Sequence, residues 1–150
     1  MCNCEEKVQV KVKKLREDAI IPKFALAEDI GADIFTPEDI DILPHQSAFV
    51  KTGIALEIPK GYEGQVRPKS GIALKKGVTV LNTPGTIENT YRGELGIILF
   101  NTSDNKCTFN AGDKVAQLVI KKVPTVEIIE VEELDMNTER GTGGFGSTGK

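Results

Sequence analysis

The chain has 150 residues, with 19 Lys and Arg against 22 Asp and Glu and a formal net charge of −3. That length suits one domain with a sizeable core, and the mildly acidic balance gives no general attraction for a nucleic acid polymer. No apolar run approaches the roughly 20 residues that cross a bilayer, and the N-terminus lacks the apolar stretch of a signal peptide.

The chain opens on Cys2-Asn3-Cys4, and Cys107 is the third cysteine. An odd count without a secretory signal points to a reducing, cytoplasmic setting. Cys2 and Cys4 lack the second pair or the histidine cluster that a zinc site needs. Val8–Val12 alternates apolar and polar residues and predicts a strand. Gly31-Ala32-Asp33-Ile34 follows; its acid, set between small and apolar residues, reads either as a turn aspartate or as a group meeting a metal or its waters. His45, the only histidine, lies in the loop-like Leu43-Pro44-His45-Gln46, so neither histidine catalysis nor histidine metal ligation is expected.

Short β-prone runs then recur between turn signals: Ala48–Val50, Gly53–Ile58, Gly64–Arg67, Val78–Leu81, Glu94–Asn101, Lys106–Phe109, Ala116–Lys121 and Thr125–Val131. Ser70–Lys76 is the one stretch that predicts a helical turn or two. The pattern predicts an all-β sandwich or barrel, with a domain over 1–134 and a polar, glycine-rich arm over 135–150.

Three internal segments carry candidate chemistry. Arg67-Pro68-Lys69-Ser70-Gly71 is a phosphate cradle if Ser70 opens a helical turn, and otherwise a surface turn. Leu81 to Glu94 reads as a hairpin with a polar tip between two apolar strands; its backbone and Asn82 could read a base edge, Tyr91 could pack on a sugar, and Glu88 could meet a hydroxyl or a water. Gly112-Asp113-Lys114-Val115-Ala116-Gln117-Leu118 places a glutamine in an apolar run, where it either holds a water or phosphate oxygen or faces solvent.

The tail, Arg140-Gly-Thr-Gly-Gly-Phe-Gly-Ser-Thr-Gly-Lys150, joins cations, hydroxyls and a flat apolar ring on a glycine-rich backbone, as a flap over a nucleotide polyphosphate would. Gly141-x-Gly143-x-x-Gly146 matches a dinucleotide fingerprint but lacks the strand and helix around it. The same holds for a phosphate loop at Gly144 to Lys150.

In order, Gly-x-Asp, Pro-Lys-Ser-Gly, Gly-Thr-Ile-Glu-x-x-Tyr-Arg-Gly, Gly-Asp-Lys-Val-Ala-Gln and Arg-Gly-x-Gly-Gly-Phe-Gly-Ser-Thr-Gly resemble the five motifs of the trimeric dUTPase family, across essentially the whole chain. The resemblance implies a jelly-roll-like β subunit and a homotrimer with active sites between subunits. It implies hydrolysis of dUTP to dUMP and pyrophosphate, assisted by Mg²⁺ held by the triphosphate and waters. Asn82 and the backbone of Gly85, Thr86 and Ile87 would read uracil, and Tyr91 would lie under the deoxyribose and exclude a 2′-hydroxyl. Lys69, Ser70 and Gly71 would bind phosphate, and Gln117 would hold the attacking water. Asp33 would act through metal-bound waters or by orienting its neighbours. Arg140, Phe145, Gly146, Ser147 and Thr148 would close over the ligand.

Two positions depart from the family pattern. Glu88 stands where Asp is usual and would carry its carboxylate about 1.5 Å further out, a single-bond length. Lys69 stands where Arg is common and lacks the bidentate fork. A dCTP deaminase shares the fold but needs a glutamate immediately before the aromatic of the strand after the hairpin, where this chain has Leu99. A dUTP-binding regulatory protein without catalysis is the other reading.

Overall fold

The computed structural model describes residues 7–147 and 149. Ten strands and one helix follow in order: β1 (Lys11–Lys14), β2 (Ala32–Phe35), β3 (Ile40–Ile42), β4 (Ser47–Glu57), β5 (Tyr62–Arg67), α1 (Ser70–Lys76), β6 (Val78–Val80), β7 (Gly85–Ile87), β8 (Glu94–Asn101), β9 (Cys107–Phe109) and β10 (Lys114–Lys122). They form two four-stranded antiparallel sheets, ordered β1-β4-β8-β6 and β2-β10-β5-β7, and a small β3-β9 pair. The fold is all-β, as the turn-punctuated pattern predicts, and jelly-roll-like, as the resemblance implies.

Alternation builds the core. Along β8 the burial alternates without a break, with Leu95, Ile97, Leu99 and Asn101 inward. Val50, Ile54 and Leu56 from β4 meet them, as do Ile34, Val66 and Leu118 from the second sheet. Each such side chain contributes roughly 1.5–3 kcal/mol relative to exposure.

Five differences from the expected elements have physical causes. Ala48–Val50 and Gly53–Ile58 fuse into one strand, β4, across a bulge between Lys51 and Ala55. There Gly53 adopts φ 73°, the Glu94 carboxylate accepts from the Gly53 N–H at 2.9 Å, and Thr52 Oγ1 donates to the Leu95 carbonyl at 2.5 Å. The first strand begins at Lys11, opposite Glu57; residues earlier in the chain run past the end of β4 toward Pro59, which has no N–H to pair. The strand β2 escapes the alternation rule because all four of its residues are buried. The expected hairpin forms, since β6 and β8 pair antiparallel on either side of it, but its long tip carries a further strand, β7, that pairs with β5 in the other sheet. Thr125–Val131 forms no strand; Val123, donating to the Gly61 carbonyl at 2.9 Å, is followed by Pro124, which has no N–H to extend the pairing.

Asn101 is fully buried at the end of β8 and satisfies each side of its amide. Nδ2 donates to the carbonyls of Ile42 (3.0 Å) and Asn105 (2.7 Å), while Oδ1 accepts from the Ser103 N–H (2.9 Å) and hydroxyl (2.8 Å). It thereby ties the β3-β9 pair to the main sandwich. Asn101→Ala is expected to lose about 2–4 kcal/mol, because it removes the four hydrogen bonds of a fully buried amide at once. Urea unfolding checks this, and a shift below about 0.5 kcal/mol, the level of an ordinary surface change, would remove Asn101 from that role.

Candidate functional site

Three strands carry the first group of candidate residues side by side. In the β2-β10-β5 ladder Gln117 lies opposite Asp33 on one side and Arg67 on the other, and directly opposed residues share a face. Asp33 is 2% exposed. One of its oxygens pairs with Lys69 and the other lies 2.7 Å from the Lys114 ammonium. Burial alone would push its carboxyl up, but the hydrogen bonds from Lys114 and Lys69 outweigh it and hold the group below the usual carboxylate range.

Gln117 is anchored beside this pair. Its Nε2 donates to the Pro68 carbonyl at 2.9 Å. Its amide oxygen lies where a Cβ on residue 31 would overlap it, so Gly31 makes room for the side chain. The chain then turns through Lys69, the N-cap of α1, which offers no side-chain cap. First-turn N–H groups have no intrahelical acceptor, and nothing lies within 4 Å of a Cβ built on Gly71. Ser70 and Gly71 are exposed. Cations, a hydroxyl, outward N–H groups and an amide therefore meet in one place and fit an anion with a water beside it.

The second group surrounds a cavity of about 260 Å³ lined by Phe49, Thr86, Ile87, Glu88, Tyr91 and Glu94, among others. Asn82 packs its amide against Gly85. The Tyr91 N–H donates to the Glu88 carbonyl at 3.0 Å. The Tyr91 ring folds back across Gly93, where any Cβ would overlap its hydroxyl, and that hydroxyl donates to the Glu94 carbonyl at 2.9 Å. Tyr91 is thus a fixed aromatic wall with Glu88 at its rim. None of Asp33, Lys69, Ser70 or Gln117 lines this cavity.

The tail forms the third group and is brought to neither of the others. Arg140, Gly146 and Ser147 are exposed, and Phe145 is fully so. The hydrogen bonds of its described residues stay local: the Gly143 N–H donates to the Arg140 carbonyl at 3.0 Å and the Ser147 N–H to the Gly144 carbonyl at 3.0 Å. Thr148 and Lys150 lie outside the described residues, as do Cys2 and Cys4. His45 pairs with Asp104 at 2.8 Å on the surface, away from every group above. Sequence reasoning missed Lys114 as a partner of Asp33; the signal available was the acid itself, which needs counter-charges if buried.

Two outcomes follow from the Asp33–Gln117 geometry. Gly31→Ala is expected to push the Gln117 amide aside and lower kcat by about 100-fold, the scale of a misplacement of ~1 Å; unchanged kcat would show that the contact does not position the glutamine. The folded Asp33 carboxyl titrates below its unfolded value of about 3.9. Its stabilising effect is therefore complete above that pH and fades as pH falls through the folded value. The stability gap between the parent and Asp33→Asn should accordingly narrow below about pH 4 in urea titrations, and a gap constant down to the acid limit would contradict the assignment.

Comparison with known proteins places this geometry. The family profile described as dUTPase matches residues 17–149. A protein of Hydrogenobaculum sp. (strain Y04AAS1) named deoxyuridine 5'-triphosphate nucleotidohydrolase is 52% identical over 143 residues, spanning 95% of this chain and 99% of the relative. Among solved structures, a mutant dUTPase of Staphylococcus bacteriophage 80alpha with dUpNHpp superposes with a TM-score of 0.87 at 31% identity, covering 95% of this chain and 99% of that one. A mutant dUTPase from phage phi11 of S. aureus, described as revealing the coordination of a structural Mg(II) ion, gives a TM-score of 0.78 at 30% identity over 85% of this chain and 99% of that one. With its profile matched across most of its length and half its residues shared with such a relative, the chain belongs to the dUTPase family.

Proposed function

We propose that this chain hydrolyses dUTP to dUMP and pyrophosphate, and that its substrate lies between copies of the chain. The observation that carries the reading is the meeting of Lys69, the head of α1 and the anchored Gln117 around a buried Asp33, in a member of this family. Water attacks the α-phosphorus, the bond to the oxygen bridging toward the β-phosphorus breaks, and pyrophosphate leaves. Such a reaction depends mostly on positioning and on charge stabilisation.

Gln117 spends one amide hydrogen on Pro68, which leaves its oxygen free to accept from the attacking water. Ser70 and the N–H groups of Ser70 and Gly71 hold phosphate oxygens, and Lys69 supplies positive charge. Asn82 and the backbone of Gly85, Thr86 and Ile87 read uracil. Tyr91, pinned on Glu94, packs under the deoxyribose and leaves no room for a 2′-hydroxyl. Glu88 at the cavity rim holds the 3′-hydroxyl and orients the water. Arg140, Phe145, Gly146, Ser147 and Thr148 close the site from the arm and exclude bulk water.

The described residues include no cluster of three acids, histidines or cysteines, and both Asp33 oxygens already carry ammonium partners. This donor set does not fit a metal caged directly by side chains. It fits Mg²⁺ that arrives on the triphosphate oxygens with its waters, where its chemistry is to neutralise phosphate charge.

A homotrimer with shared sites is supported by the separation of the Tyr91 cavity from the Asp33 group and by the uncovered apolar residues after the last strand. Val126, Ile128, Ile129, Val131 and Leu134 are all at least half exposed, a cost that a neighbouring copy would relieve. The arm's last eleven residues extend about 33–40 Å at most, enough to reach another subunit. Residues 1–134 then act as the body and 135–150 as the arm. No helix among the described residues is long and apolar enough to cross a membrane, and the cysteine usage fits the reducing cytoplasm. Deamination of dCTP is disfavoured because Leu99, at the place of the required glutamate, is 1% exposed in the core.

Pyrophosphate release from dUTP, with UTP and dCTP as controls, tests the proposal. Release from dUTP alone supports it, whereas dUTP binding without release favours a regulatory protein. Glu88→Asp is expected to raise kcat by up to about 100-fold by drawing the carboxylate back about 1.5 Å, a single-bond length. Equal kcat would mean that the pocket already compensates for the longer side chain.

A further inference from the structure

Lys114 comes to Asp33 through an irregularity in β10. The register runs Gln117 to Asp33, Ala116 to Ile34, then Lys114 to Phe35, so Val115 is the extra residue of a β-bulge. In an unbroken ladder Lys114 and Gln117, three residues apart, would point to opposite faces. The bulge reverses that parity and turns Lys114 onto the face that carries Gln117 and Asp33, as bulges beside functional sites do. Backbone bonds hold the turn in place: the Thr36 N–H donates to the Asp113 carbonyl at 3.0 Å and the Gly112 N–H to the Thr36 carbonyl at 2.7 Å. The two lysines take different oxygens of one carboxylate, so either can leave while the other stays.

We propose that Lys114 is a positioning residue: it remains on Asp33 as a counter-ion and so releases Lys69 to the triphosphate. This rests on the reading above that Lys69 meets phosphate. A carboxylate as buried as Asp33 is costly without a paired cation. With Lys69 as its only partner, the carboxylate would compete with the substrate for that ammonium. With Lys114 in place, Lys69 can swing to the head of α1 and Asp33 keeps its charge compensated. The Lys114 side chain is 46% exposed against 29% for Lys69, so its removal should be tolerated by the fold.

Steady-state kinetics with Mg²⁺ and dUTP on Lys114→Met, Lys69→Met and the double variant test this, with thermal melting to confirm folding. Lys69→Met should raise KM about tenfold or more. Lys114→Met should raise KM by a comparable factor, with kcat falling less than KM rises, and Lys114→Arg should restore it. In the Lys69→Met background Lys114→Met should add less than about twofold, because a residue acting through another is not additive with it. Fully multiplicative effects would mean that Lys114 acts independently of Lys69, and would overturn the proposal. Unchanged KM in Lys114→Met, with Lys69→Met impaired, would also overturn it. If Lys69→Met itself leaves KM unchanged, the phosphate reading of Lys69 fails, and this inference fails with it. Should Lys114→Met melt early, Lys114→Gln serves as the second variant under the same criteria.

Discussion

An ionised carboxylate inside a β-sandwich must be neutralised where it stands, and Asp33 imposes that demand on the rest of the site. Its counter-charges come from Lys69, at the mouth of α1, and from Lys114, at the bulged start of β10. These are distant in sequence and are brought together by the β2-β10-β5 ladder. The same ladder sets Gln117 opposite Asp33 and lets its amide reach Pro68. The chain is held just before α1 by the Gln117 hydrogen bond to the Pro68 carbonyl, beside the ion pair. Buried ion pairs are weak guarantors of stability, so positioning is the more economical explanation for one at this place.

The three groups of candidate residues stay apart on one chain. Lys69, Ser70 and Gln117 surround Asp33; Glu88 and Tyr91 edge a separate cavity; Phe145 projects into solvent. In the proposed assembly, this separation is how one sequence supplies several walls to each site. The glycines at 31 and 93 serve that division of labour locally. Each clears space for a functional side chain, Gln117 in one case and Tyr91 in the other, so the side chain is held by the backbone around it rather than by a flexible neighbour. In such a site, exclusion of water and orientation of the nucleophile both await closure by the arm.

Much of the fold was legible where burial is one-sided. β8 shows the period-two alternation along its whole length, and Ser70–Lys76 forms the expected helix. Legibility failed where tertiary context overrides local pattern. The strand β2 is buried on both faces, so it shows no alternation and hides its acid among apolar neighbours. The stretch from Leu81 to Glu94 joins β6 and β8 as a hairpin, yet its tip gives a strand, β7, to the other sheet, and only the tertiary pairing with β5 makes that strand. Thr125–Val131 has strand-forming residues but pairs with no strand of its own chain. Lys114 sits in a motif quoted from the sequence, but only the bulge makes it a partner of Asp33, and a bulge leaves no mark in composition. The family motifs named candidate residues; what each one touches required the three-dimensional register.

The most direct test of the central claim is the rate of pyrophosphate release from dUTP by Asp33→Asn, compared with the parent at neutral pH and with folding checked by circular dichroism. Asparagine keeps the shape and removes the charge that holds both lysines. A fall in kcat/KM of about 100-fold or more is expected, on the scale of a ~1 Å loss of placement. A folded Asp33→Asn protein that turns over dUTP at the parental kcat/KM would contradict the account, because the site would then be organised without the ion pair.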